Sequence, residues 1–142
     1  MELLVTHKLE KDDILDILTT AIEGGIGYFA CLRNDDPDWA EGRKQWKEEH
    51  KNDADPTPCY CDVAYKVMEM GKAVKFTDAE LDDDDPDLEY WGLTMEKFLK
   101  GCSQYIQETG KDIKKSMDEG DFDANDADMI IQYALFGKLI FG

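Results

Sequence analysis

The residues of this sequence most suited to binding chemistry are two dense clusters of carboxylates. The first consists of Asp78, Glu80, Asp82, Asp83, Asp84, Asp85, Asp87 and Glu89. The second consists of Asp118, Glu119, Asp121, Asp123, Asp126 and Asp128. Surfaces of this charge repel nucleic acid, anionic lipid and nucleotides, and they attract basic protein surfaces. The predicted partner is therefore a basic protein surface, with no direct contact to nucleic acid or membrane.

The first cluster contains four consecutive aspartates, residues 82–85. Their charges follow one another at intervals comparable to a duplex phosphate backbone, which carries one charge per ~1.7 Å of helix axis. A rigid array of this kind could occupy the groove with which a basic protein holds DNA, as DNA-mimic inhibitors do. The alternative is a solvated loop that only keeps the protein soluble.

Trp39 and Trp46 are the second candidate for partner binding. They lie seven residues apart in a highly charged segment, so a helix would place both on one face. Large aromatic side chains commonly anchor protein interfaces. Alternatively, this aromatic stripe simply docks the helix on the body of the protein.

A calcium site is a weak candidate at Asp121, Asp123 and Asn125, which place oxygen ligands at alternate positions. The pattern then fails, because Asp126 replaces the required glycine and Gln132 replaces the bidentate glutamate. Acidic residues also favour the start of a helix, and a capped helix explains the same residues. We therefore predict no metal at this position.

Cysteine and histidine give no further metal or catalytic signal. Cys59 and Cys61 flank a single residue, and the four cysteines include no C-x-x-C pair, so no zinc site is predicted. His7 and His50 are isolated, and no nucleophile–base spacing accompanies them. The glycines of residues 24–27 match no phosphate-binding loop. The sequence predicts a protein that is not an enzyme and holds no cofactor.

The composition is typical of one folded domain. The chain has 142 residues, 33 acidic and 16 basic, with a net charge of −17 and 42% hydrophobic residues. Residues 1–5 lack the features of a signal peptide, and no apolar run reaches the ~20 residues of a membrane span. We expect a cytoplasmic protein.

Hydrophobic spacing in the first half of the chain predicts two helices joined by an apolar segment. The helices cover residues 9–23 and, from the cap Asp36 and Pro37, a stretch to about residue 51. Between them, residues 26–32 fit either a helix or a buried strand. The second helix belongs to a charged insert around residues 34–58.

The second half predicts short strands followed by helices. Residues 59–77 fit a hairpin, although a helix over 62–70 is the alternative, and residues 90–93 fit a third strand. Helices follow from the cap Thr94 and over residues 123–136, separated by a polar loop at 111–120. Residues 139–141 fit an edge strand that could pair with a second copy. These elements predict an α+β domain: a small antiparallel sheet, three to four helices and long acidic loops.

Three segments resemble a family of small acidic proteins encoded by phages and mobile elements of Gram-positive bacteria. Residues 19–29 are similar to the T-A-x-E-G-G-I-x-Y-aromatic opening of that family. Residues 93–101 resemble its middle segment and residues 126–137 its ending, whereas the insert at 34–58 is not covered. No activity is established for the family as a whole. The resemblance implies phage biology, in which small acidic proteins often inhibit host defence enzymes.

Together these patterns predict an acidic protein that binds and inhibits a host nucleic-acid-binding protein in the bacterial cytosol. A DNA mimic of the anti-CRISPR type is one form of this hypothesis. The alternatives are a small-ligand or calcium-binding module and a self-associating accessory protein with no inhibitory role.

Overall fold

The computed structural model describes residues 7–142, and it forms an α+β fold as the sequence predicts. Residues 1–6, and with them the predicted absence of a signal peptide, lie outside this range. The described helices are α1 (Lys11–Thr20), α2 (Pro37–Glu49), α3 (Tyr60–Glu69), α4 (Met95–Thr109), α5 (Ile113–Asp118) and α6 (Ala124–Phe136). The strands are β1 (Ala30–Leu32), β2 (Val74–Asp78) and β3 (Trp91–Leu93). A π-helical turn, Ala21–Gly25, extends α1.

The sheet is a three-stranded antiparallel meander with β2 at its centre. Ala30 in β1 lies opposite Asp78, and Val74 lies opposite Leu93 in β3. The chain between β1 and β2 contains α2 and α3. The chain between β2 and β3, residues 79–90, contains most of the first acidic cluster, and we call it the acidic loop. Because it joins two neighbouring strands, both of its ends are held by the sheet.

The long helices α4 and α6 pack against each other and supply much of the core. Both carry an apolar face, and both end at a glycine with left-handed backbone, Gly110 and Gly137. Gly101 lies where the two helices approach most tightly. A β-carbon at this position would lie 2.7 Å from the carbonyl oxygen of Ile130 and from the backbone nitrogen of Ala134. The absence of a side chain at Gly101 therefore sets the spacing of the two helices.

Three predicted helix starts are confirmed, because each depends only on neighbouring residues. The Asp36 carboxylate accepts a hydrogen bond from the Asp38 amide at 2.9 Å, and Pro37 is the first residue of α2. Thr94 caps α4 through the Lys97 amide at 3.2 Å. Asp123 caps α6. A short polar side chain before an apolar helical pattern was sufficient to place these starts.

The predicted hairpin over residues 59–77 is wrong in its first half, where the alternative, a helix over 62–70, is confirmed by α3. Its buried residues Val63, Ala64, Val67 and Met68 follow helical spacing and pack towards α1 and α2. The apparent alternation of Val63, Tyr65 and Val67 arises because positions 63 and 67 are one helical turn apart. The second half of the prediction is correct, since Val74–Asp78 is a strand.

The other corrections concern short segments. The predicted loop at 111–120 contains α5, which Asp112 caps and Ile113 anchors in the core. With α3 and α5, the described residues hold six α-helices rather than three to four. The apolar segment at 26–32 ends in the strand β1.

The predicted edge strand at 139–141 is wrong. The amides of Ile140 and Phe141 donate to Gln132 Oε1 at 2.8 Å each, so a side chain replaces the expected strand partner. The Phe141 ring stacks on Phe29 with centroids 4.7 Å apart. The segment therefore folds back onto its own core.

Across the described part of the chain, no helix combines the length and the apolar character that crossing a membrane requires.

Candidate functional site

The backbone of the acidic loop is a succession of hydrogen-bonded turns. The amide of Leu81 donates to the carbonyl of Asp78 at 3.2 Å, that of Asp85 to Asp82 at 3.0 Å, and that of Leu88 to Asp85 at 3.1 Å. At the entrance of the loop, the amide of Ala79 donates to the Phe29 carbonyl at 2.9 Å, which continues the pairing of β2 with β1. The loop therefore has a defined path rather than that of a free linker.

Two carboxylates of the first cluster stabilise this path. Asp78 Oδ1 accepts from the Glu80 amide at 2.9 Å, and Asp85 Oδ1 accepts from the Asp87 amide at 2.8 Å. Aspartate commonly closes turns in this way because its short side chain reaches the amide two residues later. Asp78 and Asp85 are half-buried. We therefore assign them to loop structure rather than to contact with a partner.

An ion pair ties the loop to the sheet. Arg33 Nη2 donates to Asp83 Oδ1 at 2.6 Å, and Arg33 Nε donates to the hydroxyl of the buried Thr77 in β2 at 2.9 Å. The Arg33 side chain is 11% exposed, whereas that of Asp83 is 82% exposed. The hydrogen bond from Arg33 lowers the pKa of Asp83 and raises the pKa of the arginine. Asp83 thus fixes the loop while part of its own charge is compensated.

The remaining carboxylates of the cluster face solvent, and they form the charged surface of the site. These residues are Glu80, Asp82, Asp84, Asp87 and Glu89. Tyr90, which directly follows them, is 60% exposed. An exposed aromatic ring beside a carboxylate array combines an apolar anchor with charge complementarity, both of which protein interfaces use. We refer to these five carboxylates and Tyr90 as the acidic face.

Tyr90 is the residue of this face that the sequence analysis missed, since residues 90–93 were assigned together to a strand. The strand begins only at Trp91. The signal available in the sequence was an amphipathic aromatic residue immediately after an acidic run.

The two tryptophans do not form the predicted exposed pair. Trp39 is 5% exposed and belongs to the core, so its indole is not available to a partner. Trp46 is half-buried and stacks on His50 with ring centroids 4.0 Å apart. The alternative interpretation, in which the aromatic stripe docks α2 on the body, describes Trp39 correctly.

Of the three weak calcium candidates, Asp123 uses its side chain to cap a helix. Asp123 Oδ1 accepts from the amides of Asn125 at 3.0 Å and Asp126 at 3.2 Å, while the Asp123 amide donates to Asp126 Oδ2 at 3.0 Å. This reciprocal pair is a capping box at the start of α6. Asp121 is exposed and precedes the box. The capped helix therefore accounts for Asp123.

Other acids of the second cluster have structural partners. Asp126 is 5% exposed, and its Oδ1 accepts from the hydroxyl of the buried Tyr105 at 2.7 Å. Asp128 accepts from the Tyr28 hydroxyl at 2.6 Å. Burial, reinforced by the bond to Asp128, raises the pKa of Tyr28 to about 12. These acids hold α6 in place, which leaves the acidic face as the better candidate for binding.

A second group that the sequence analysis missed lies at the start of α3. The ligand atoms of Cys59, Cys61 and Asp62 all lie within 4.8 Å of one another. Cys59 Sγ donates to Asp62 Oδ2 at 3.2 Å. Burial, with the neighbouring Cys61, raises the pKa of Cys59 to about 12, so this thiol is protonated at neutral pH and is a poor nucleophile. The pattern Cys-x-Cys-Asp after Pro58 was the available signal.

A cleft of about 380 Å³ opens beside Cys59. Its walls include Trp39 and Tyr60, with Glu23 and Arg43 as its charged residues. The two rings lie 5.9 Å apart, and Tyr60 is exposed. The cleft therefore brings a carboxylate (Glu23), a guanidinium (Arg43) and a thiol (Cys59) close to the start of α3.

The fold and the site together define an acidic α+β protein whose principal exposed feature is a sheet-anchored carboxylate loop. No protein-family model matches the chain, and no curated protein or solved structure matches it significantly.

Proposed function

We propose that this protein binds a basic, nucleic-acid-binding surface of another protein through the acidic face and blocks access of DNA or RNA to it. The observation that carries this proposal is the anchoring of the loop. Its turns and the Arg33–Asp83 ion pair hold the exposed carboxylates in place against the sheet. A loop that served only solubility would need no such restraint.

Anchoring favours binding for a physical reason. A preorganised loop loses little conformational freedom when a partner arrives, so more of the interaction energy contributes to affinity. The exposed carboxylates steer a basic partner towards the face, and Tyr90 supplies apolar contact area. This division of roles suits an inhibitor that must compete with a polyanion.

The resemblance to acidic proteins of phages and mobile elements supports a bacterial host as the setting. We infer that the partner is a host protein that holds nucleic acid, such as a defence nuclease, and that the encounter takes place in the bacterial cytosol. In this proposal the protein is an inhibitor and not an enzyme.

The direct test neutralises three carboxylates without altering the loop. Asp82, Asp84 and Asp87 are exposed, and the turns use backbone atoms or other side chains at these positions. In a pull-down from nuclease-treated host lysate, the triple variant D82N/D84N/D87N is expected to capture at least tenfold less of the nucleic-acid-binding partner than the unmodified protein. Duplex DNA should displace the captured partner by competing for its basic surface. Raised salt should also release it, because the Debye length falls from about 8 Å at physiological ionic strength to about 3 Å at 1 M.

The matched control removes the same number of negative charges at another site. The variant D118N/E119Q/D121N also removes three exposed negative charges, but it leaves the acidic face intact. It should capture the partner as the unmodified protein does. Equal capture by both triple variants, or capture that duplex DNA does not displace, would contradict the proposal.

A further inference from the structure

We propose that the start of α3 is a binding site for a thiophilic divalent cation, with Zn²⁺ as the fitting ion. The ligands would be the sulfur atoms of Cys59 and Cys61 and the carboxylate of Asp62. This site is separate from the acidic face, and it does not depend on the function proposed above.

The distances fit the ion. Zinc–sulfur bonds of about 2.3 Å in a tetrahedral site place neighbouring sulfur ligands about 3.8 Å apart, and oxygen ligands lie slightly closer. The three candidate ligand atoms already lie within 4.8 Å of one another, and Cys59 Sγ is 3.2 Å from Asp62 Oδ2. Small rotations about side-chain bonds are therefore sufficient to enclose an ion.

Local structure orients these ligands. Cys59 caps α3, and its amide donates to Asp62 Oδ2 at 3.1 Å, which holds the carboxylate against the two sulfur atoms. The amides of the first helical turn favour negative charge at this end of α3. Zinc displaces the thiol protons when it binds. The charge of the bound ion, rather than the surroundings of the free thiols, therefore stabilises the thiolates that the site requires.

The donor set selects the kind of ion. Two thiolates suit Zn²⁺ or Cd²⁺, whereas Ca²⁺ and Mg²⁺ prefer oxygen ligands throughout. The three ligands would carry a charge of −3 against +2 from the ion. Cys59 lines an open cleft, so water is available for the fourth position.

The test titrates the whole protein, kept reduced, with Cd²⁺ and follows the ultraviolet charge-transfer absorption of cadmium–thiolate bonds. We expect one ion per chain with the intensity of two thiolates, and a higher melting temperature when Zn²⁺ is added. The double variant C59S/C61S should lose the absorption band. Serine is a preferred capping residue, so this variant keeps a favourable start for α3.

Two further variants decide whether the loss is specific. Cys31 is an exposed thiol on β1, outside the cluster, so C31S should keep the full band. Asp62→Asn keeps the size of the side chain but removes its charge, and it should weaken Cd²⁺ binding at least tenfold. The proposal is overturned by a band that persists in C59S/C61S, by a band that C31S removes to the same extent, or by the lack of a saturable band in the unmodified protein.

Discussion

Replacing Gly101 by alanine is expected to destabilise the protein by about 2 kcal/mol. Alanine favours a helix over glycine by up to about 1 kcal/mol, but overpacking a tight contact costs about 1–3 kcal/mol or more. The new β-carbon would lie 2.7 Å from Ile130 O, Ala134 N and Ala134 Cβ. Two of these atoms are backbone, so relief requires α4 and α6 to move apart. Urea unfolding should show the loss, and the melting temperature should fall by about 6 °C.

Two variants control this prediction. Gly24 is also a non-terminal glycine of a helical segment, but a β-carbon there would meet nothing within 4 Å. Gly24→Ala should therefore leave stability unchanged or raise it slightly. Ala134→Gly in the Gly101→Ala background removes only one of the three close atoms and should restore only part of the loss. If G24A costs as much as G101A, helix spacing is not the cause.

Replacing Asp126 by alanine is expected to cost about 3 kcal/mol of unfolding free energy. The substitution leaves the buried Tyr105 hydroxyl without its acceptor, which costs about 1–3 kcal/mol, and it also removes half of the capping box of α6. Tyr105→Phe should cost less, because Asp126 keeps the Asp123 amide and Lys111 as partners. Urea unfolding at neutral pH measures both losses.

The pH dependence of stability distinguishes Asp126 acting as an ionised hydrogen-bond acceptor from Asp126 acting only by packing. Burial opposes ionisation of Asp126, but the hydrogen bonds from Tyr105 and the Asp123 amide outweigh it and lower the pKa of Asp126. A lowered folded-state pKa gives stability that is present above the unfolded value of about 3.9 and is lost as the pH falls through the folded value. The difference in stability between the unmodified protein and Asp126→Asn should therefore shrink below about pH 4. A difference that stays constant down to pH 2 would contradict this role.

Features that depend on neighbouring residues could be predicted from the sequence. The caps Asp36 and Thr94 each bond an amide two or three residues away, and both were placed correctly. The acidic cluster was also located, because charge density is visible in any linear sequence. Whether a carboxylate of the cluster faces solvent or bonds a backbone amide depends on the turns of the loop, which the sequence does not reveal. Asp78 and Asp85 were therefore grouped with the exposed residues.

Features that depend on distant partners could not be predicted. Arg33 and Asp83 are separated by 50 residues, and no local pattern connects them. The conformation of residues 139–141 depends on the side chain of Gln132, which accepts the backbone hydrogen bonds that a neighbouring strand would otherwise accept. The segment of α3 was left open between a hairpin strand and a helix for a different reason, since Val63 and Val67 satisfy the spacing of both. Only packing against α1 and α2 decides between them.

The position of the acidic loop in the sheet has an evolutionary consequence. The loop leaves β2 at Asp78 and returns at Trp91, and the strands at its ends are fixed to each other by the pairing of Phe76 with Trp91. Doubling the length of such a connection costs only about 0.6 kcal/mol of closure entropy. A recombination event could therefore exchange this segment as a unit while every residue of the core stayed the same.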